Sequence, residues 1–152
     1  MYGVRKRQQK YSDIIKQDSV VLDEIFGQLL LINFNEDKHM VDEAFMKYVN
    51  GKSHKFGRSW RGANALYFPL NVNNSHWLAI KIDCINTEVV VFDCSLGCLS
   101  ENAMDEVMLP IQTMIPLVLR KSKVFEHIKE SLNATWQYRR RRDLPQNSTY
   151  VY

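Results

Sequence analysis

Two side chains, His76 and Asp93, have the types and the spacing for proton-transfer chemistry. His76 opens the apolar run Trp77 to Ile82, and Asp93 closes the run Val89 to Phe92. If Cys84 to Thr87 form the loop of a hairpin, Asp83 faces Glu88 and Leu78 faces Asp93. His76 is then a diagonal neighbour of Asp93 on the same face, within reach of long side chains. A two-residue turn at Asn86-Thr87 keeps the parity and moves the pair one step further apart. A three-residue loop puts one side chain on the other face. A carboxylate bonded to one imidazole nitrogen fixes the tautomer and stabilises the cation, and the second nitrogen is left free as a base. A nucleophilic serine or cysteine needs such a pair. The plainer reading is a solvated histidine at a strand start beside a turn aspartate, and spacing alone favours it.

The other reactive types form weaker patterns. The three cysteines are Cys84, Cys94 and Cys98. Cys94 and Cys98 have no second Cys or His pair at finger spacing, so no metal site is expected. Core or loop filling is the default for all three. His39, His54 and His127 lack partner patterns and read as surface residues. The run Arg139 to Arg142 suggests nucleic acid at first sight. A strand points these arginines alternately to opposite faces, so they make no single stripe, and no stacking motif beyond Trp136 and Tyr138 accompanies them. A solvated edge that meets an acidic partner is the expected role.

The elements that must hold His76 and Asp93 follow from periodicity. Val21, Leu22, Ile25, Phe26, Leu29 and Leu30 recur at helical spacing, with Asp18 or Ser19 as N-cap. Val41, Ala44, Phe45, Tyr48 and Val49 make the stripe of a second helix that stops at Gly51. Residues 51–64 read as a loop. Leu66, Phe68, Leu70 and Val72 then alternate with Tyr67, Pro69 and Asn71 in a strand, and Pro69 predicts an edge or a break there. Asn73-Asn74-Ser75 is a turn, and the two apolar runs after it fit buried strands. Ser100 caps a long helix with Met104, Val107, Met108, Ile111, Ile115 and Val118 on its buried face, which Pro110 and Pro116 should kink or split. A short helix at Val124 to Leu132 and a strand at Thr135 to Arg141 complete an α+β fold, an antiparallel sheet packed against helices.

With 152 residues the chain suits one domain or most of one. Its 45% hydrophobic and 24% charged residues are ordinary for a globular protein, and a net charge of +3 calls for neither nucleic acid nor an anionic membrane. An odd cysteine count argues against a disulfide scaffold, and Met1 to Arg7 carry no apolar signal segment behind their charges. No apolar run approaches the ~20 residues of a membrane span. An intracellular protein, nuclear or cytoplasmic, is expected.

Taken together, Tyr67-Phe68-Pro69-Leu70-Asn71-Val72, Asn74-Ser75-His76-Trp77 and Val90-Val91-Phe92-Asp93 resemble the ubiquitin-like-protein-specific (SUMO) protease family. This is the adenain-like branch of the papain-like cysteine proteases, and the likeness is greatest to its plant members. Trp136-Gln137-Tyr138-Arg139 followed by Asp143-Leu144-Pro145-Gln146-Asn147 is similar to the family's next landmark, and the resemblance covers residues 36–149. It implies that His76 is the catalytic base, Asp93 its orienter and Gln146 an oxyanion-hole donor. A donor of that kind acts on charge as it develops, and its loss costs ~10²–10³ in rate. It implies that Trp77 walls the slot that admits a Gly-Gly tail, a passage only glycine backbone can thread. A core tryptophan is the structural alternative for Trp77. No cofactor is implied, and the implied partner is a SUMO-type tail.

One departure from the family pattern is large. The family places Asp-Cys-Gly at a helix N-terminus shortly after the glutamine, where the thiol's pKa is lowered. Here Gln146 is followed by Asn147 to Tyr152 without a cysteine. The expectation is therefore a single partial protease domain over residues 1–152, truncated at both ends and inactive as it stands. The alternative is a catalytically dead module that binds a ubiquitin-like protein or another partner. A third outcome is a fragment too poor in core to fold stably.

Overall fold

The computed structural model describes residues 2–13, 18–35 and 40–147. The chain runs through helix α1 (Tyr2–Lys10), strand β1 (Ser19–Val21), helix α2 (Glu24–Asn35) and helix α3 (Glu43–Val49). Strands β2 (Ala65–Val72), β3 (His76–Asp83) and β4 (Glu88–Phe92) follow, then helix α4 (Glu101–Ser122) and strand β5 (Gln137–Arg141). Short 3-10 turns at Leu96–Cys98 and Glu126–Asn133 flank α4. The second of these replaces the α-helix expected at 124–132, with non-helical backbone at Ile128.

The expected α+β architecture is present, with one sheet in the order β1-β2-β3-β4-β5. Its three central strands are antiparallel, but β1 joins β2 and β5 joins β4 in parallel, so the sheet is mixed. The reason is the connections. Helices lie between β1 and β2 and again between β4 and β5, and a helical crossover returns the chain in its original direction. β1 pairs only with Ala65 to Tyr67, so Pro69 lies beyond its end. A missing N–H is harmless on that unpaired flank.

Strand β3 departs from its apolar appearance. Leu78, Ile80 and Ile82 are buried, whereas Trp77 and Ala79 are exposed. Helices α2 and α4 cover one face of the sheet only. The helix expected from Val20 also starts later. Val20 and Val21 are β-branched and extend the sheet, while α2 begins at Glu24 under Asp23, whose Oδ1 accepts the Phe26 N–H at 3.3 Å. Asp42 caps α3 through the N–H groups of Ala44 and Phe45, at 3.0 and 3.4 Å. The stop at Gly51 is as expected. Its φ of +71° is left-handed, and an added Cβ would lie 2.4 Å from the Arg58 carbonyl carbon.

Helix α4 runs unbroken through both prolines, with Ser100 Oγ accepting the Ala103 N–H at 3.2 Å. Pro116 offers no N–H to the Gln112 carbonyl four residues earlier. That carbonyl instead accepts the Trp136 N–H at 3.3 Å, and Gln112 Nε2 donates to the Trp136 carbonyl at 2.7 Å. The proline thus frees an acceptor that clamps the entry to β5. Trp136 itself is buried, with its indole N–H on the Ser131 carbonyl at 2.9 Å.

Phe26 centres the other half of the core. Its ring meets Phe45, Tyr48, Trp60 and Phe68 edge-on at 5.2 to 6.1 Å. Polar helix α1 docks beside this cluster through two buried side chains. Gln8 donates to the Ser19 carbonyl at 2.8 Å, and Arg5 Nη1 lies 3.1 Å from His54 Nε2.

His54 is therefore not the surface residue expected from its isolation in sequence. A guanidinium can only donate, so His54 Nε2 must accept, and the ring is neutral with its proton on Nδ1. Burial first, and then Arg5, lower its pKa below the ordinary histidine value. Asp23, 3.8 Å from Nε2, opposes the shift. Because the folded state resists this proton, the stability His54 contributes is present above the ordinary histidine range. It is lost as pH falls through the lowered folded value. We expect the amides of α1 to lose hydrogen-exchange protection as pH falls from 7.5 to 5 in the parent chain. His54→Gln, which offers an acceptor that cannot titrate, should flatten that dependence.

Candidate active site

The hairpin that carries His76 and Asp93 has the loop Cys84 to Thr87, with Asp83 opposite Glu88. Thr87 takes a left-handed φ of +53° to close it. Ile80 then faces Val91 and Ile82 faces Val89 on the core side. Continuing the register puts Leu78 opposite Asp93 and His76 one diagonal step away, on the same side. At the other end of β3, Asn73 and Asn74 both take left-handed backbone, and Val72 pairs with His76. Asparagine tolerates that conformation better than most residues.

The two side chains meet. His76 Nε2 lies 2.9 Å from Asp93 Oδ1, with the aspartate fully buried and the histidine side chain 14% exposed. Burial alone would raise the Asp93 carboxyl. The Ser95 N–H, Arg140 and His76 outweigh it and hold the carboxyl below its ordinary value. Against an ionised acceptor the proton sits on Nε2. Nδ1 is then the nitrogen with a free lone pair, and it makes no hydrogen bond among the described residues. The arrangement is a base with its tautomer fixed by a carboxylate.

Arg140 was not singled out by its sequence pattern. In the parallel pair it lies opposite Val91, so it shares the core face with Asp93. Nε and Nη2 donate to Asp93 Oδ2 at 3.2 and 2.6 Å. Nη1 reaches the Leu99 carbonyl and Glu101 Oε1, both at 3.1 Å, and Nη2 reaches the Leu96 carbonyl at 3.0 Å. Arg139 and Arg141 point to the other face, whereas Arg142 shares Glu101 with Arg140. Arg139 pairs with Glu88 at 3.0 Å, Arg141 lies over the Phe92 ring and pairs with Asp143, and Arg142 pairs with Glu101. The expected alternation of the four arginines is therefore present, but the role of a solvated edge fits only three of them. The readable signal is alternation beside the valines of β4, which requires one arginine of the run to be buried and hence paired.

Gln146 closes the loop after Asp93. Its Oε1 accepts the Leu96 N–H at 2.8 Å, and its Nε2 donates to the carbonyls of Asp93 and Leu144, each at 3.2 Å. The Asn147 N–H adds a bond to the Cys94 carbonyl at 2.7 Å. Both amide hydrogens of Gln146 are engaged here. Trp77 is 54% exposed beside His76 and projects from the opposite, uncovered face, across from Asn71. It is not a core tryptophan. Residues 148–152, where the family's cysteine element was sought, lie outside the described residues.

None of the three cysteines hydrogen-bonds to the imidazole. Cys84 is buried beyond the far end of β3, and burial pushes its thiol up to about 12. Cys94 and Cys98 are exposed on the loop after Asp93, and the Cys98 thiol donates to Ser95 Oγ at 3.4 Å. A groove of about 670 Å³ runs between α4 and β5 past Asp105, Gln112 and Tyr138. It meets the dyad only through Arg140, and its carboxylates are not paired with a histidine, so the dyad is the better candidate site.

Asp93→Ala should cost about 3–5 kcal/mol, because it leaves a buried guanidinium without its main counter-charge. Urea unfolding of the two chains at pH 7 measures this difference.

The family model for the Ulp1 protease family, C-terminal catalytic domain, matches residues 1–150. This is a wider span than the motifs alone mark out. A solved structure of the SUMO protease Ulp1 with its catalytic cysteine oxidized to a sulfinic acid superposes with a TM-score of 0.58 at 14% identity. It covers 96% of this chain and 57% of that one. The C-terminal Ulp1 protease domain in complex with Smt3, the yeast ortholog of SUMO, gives a TM-score of 0.54 at 15% identity. It covers 96% of this chain and 56% of that one. No curated protein sequence matches. The chain thus spans little more than half the length of these solved relatives, whose likeness is one of fold. Together with the model match over nearly its whole length, it establishes that this chain belongs to the Ulp1 protease family, a family of cysteine peptidases.

Proposed function

We propose that this chain carries the base half of a cysteine peptidase that cleaves after the C-terminal glycines of a SUMO-type protein. The observation that carries the reading is the 2.9 Å contact of His76 Nε2 with a buried, ionised Asp93, which leaves Nδ1 free as an acceptor. In the reaction a thiol would give its proton to Nδ1 and attack the carbonyl carbon of the tail's last glycine, forming a thioester that water then hydrolyses to regenerate the thiol. The imidazolium, stabilised by Asp93, would return that proton to the leaving amine. Trp77 would wall the slot beside the base. Gln146 would stabilise the oxyanion, which requires one of its two N–H groups to leave its present carbonyl partner.

The 152-residue polypeptide by itself is expected to have no peptidase activity, since none of its three cysteines hydrogen-bonds to His76. An exposed Trp77 beside a preassembled dyad supports a second reading, that the chain holds a ubiquitin-like tail without cutting it.

Two measurements separate these readings. Titration of the ¹⁵N-labelled chain with a SUMO-type protein ending in Gly-Gly should shift the Trp77 indole and the His76 amide, and Trp77→Ala should weaken binding at least tenfold. Absence of any shift at millimolar concentration rules out tail binding. The transcript should also be read past the codon for Tyr152. If the frame continues into Asp-Cys-Gly, that longer chain should react with a tail-derived thiol probe, and His76→Ala should abolish the reaction. A longer chain that reacts equally without His76 would overturn the assignment of the base.

A further inference from the structure

We propose that Arg140 is a positioning residue for this site, setting the geometry and charge of Asp93 and through it the tautomer of His76. The inference rests on His76 being the base, although its test does not require activity.

The two oxygens of Asp93 are divided between different partners. Oδ1 receives His76 and the Ser95 N–H, each at 2.9 Å, while Oδ2 receives two N–H groups of Arg140. Both N–H groups converge on Oδ2 and hold that oxygen in place, while the Ser95 N–H and His76 hold Oδ1, so the carboxylate plane is set by the two oxygens together. With Oδ2 held in this way, Oδ1 is directed along the edge of the imidazole. Lysine would supply the charge without the fork.

Arg140 is itself held firmly. Its side chain is 4% exposed, and the carbonyls of Leu96 and Leu99 fix its remaining N–H groups on the loop that follows Asp93. The register of β5 with β4 sets its height, and the Gln112 clamp on Trp136 sets where β5 begins. The charged groups facing Asp93 are therefore His76 from β3 and Arg140 from β5, with Glu101 from α4 acting on Arg140 from behind. A histidine paired with an isolated carboxylate is driven toward the imidazolium. Here a permanent cation already balances the carboxylate, which faces the ring as one member of an ion pair.

The test uses the whole chain and reads the two groups directly. The Asp93 carboxyl carbon is followed by ¹³C NMR through an acid titration, and the His76 ring nitrogens by long-range ¹H–¹⁵N correlation at pH 7. The variants are Arg140→Met, Arg140→Lys and, as a surface control, Arg139→Met. In the parent chain the neutral form of His76 should be a single tautomer with its proton on Nε2. In Arg140→Met the Asp93 titration should rise by about one pH unit or more. The doubly protonated fraction of His76 should also increase. Arg140→Lys should restore the Asp93 titration in part while leaving mixed His76 tautomers, and Arg139→Met should match the parent. If Arg140→Met does not fold, the tautomer mixture in Arg140→Lys decides alone. Parent-like Asp93 and His76 signals in a folded Arg140→Met, or a single parent-like tautomer in Arg140→Lys, would overturn the proposal. Failure of the wider reading shows elsewhere, in a longer chain that needs no His76, and leaves these signals unchanged.

Discussion

The rest of the site depends on keeping a carboxylate charged where no water reaches it. Asp93 is fully buried, and an unpaired charge there would take up a proton or break the packing. It escapes both because hydrogen-bond donors arrive from three directions: a strand partner, its own loop and a parallel strand beyond a helix. Each donor constrains a different part of the fold. His76 constrains the register of the β3–β4 hairpin. The Ser95 N–H constrains the turn out of the sheet. Arg140 constrains where β5 lies.

The third constraint reaches furthest. β5 is parallel to β4 and must be delivered by a crossover, which α4 provides. Two prolines in that helix look like a defect, yet both are buried and the helix continues past them. Pro116 leaves the Gln112 carbonyl without its helical donor, and that carbonyl and the Gln112 amide together grip the Trp136 backbone. Four residues later stands Arg140. A local backbone cost within α4 is thus linked, through a strand register, to the placement of a guanidinium at Asp93.

The sequence was most legible where interactions are local. Capping by Asp42 and Ser100, the stop at Gly51 and the period-2 burial of β2 all follow from neighbours within a few residues. The His76–Asp93 contact was legible for a related reason. A four-residue hairpin loop converts sequence distance into register by counting, so one assumption about Cys84 to Thr87 places both side chains. Three features were not legible. Val20 and Val21 fit a helical stripe and an edge strand equally well until β2 offers them a partner. His54 has no local partner because Arg5 and Asp23 come from distant segments. Arg140 resembled its three neighbours because the parallel pairing that separates them depends on the length of a crossover, which no local pattern records.

The division of labour around Asp93 also bears on how far the dyad would depend on a thiol. In a cysteine peptidase the imidazole and the thiol share a proton, and the carboxylate stabilises the charged form of that pair. A dyad that depended on the thiolate to balance its charges would lose its geometry in the thiol's absence. Here the carboxylate is balanced by Arg140, the loop beyond it is tied by Gln146 and Asn147, and the imidazole needs only Asp93 to fix its tautomer. The contacts that orient this ring therefore come from residues between 76 and 147. A nucleophile brought to Nδ1 would meet a ring already oriented and backed by charge, and that preorganisation is what lets a base act without reorganising its surroundings during the reaction.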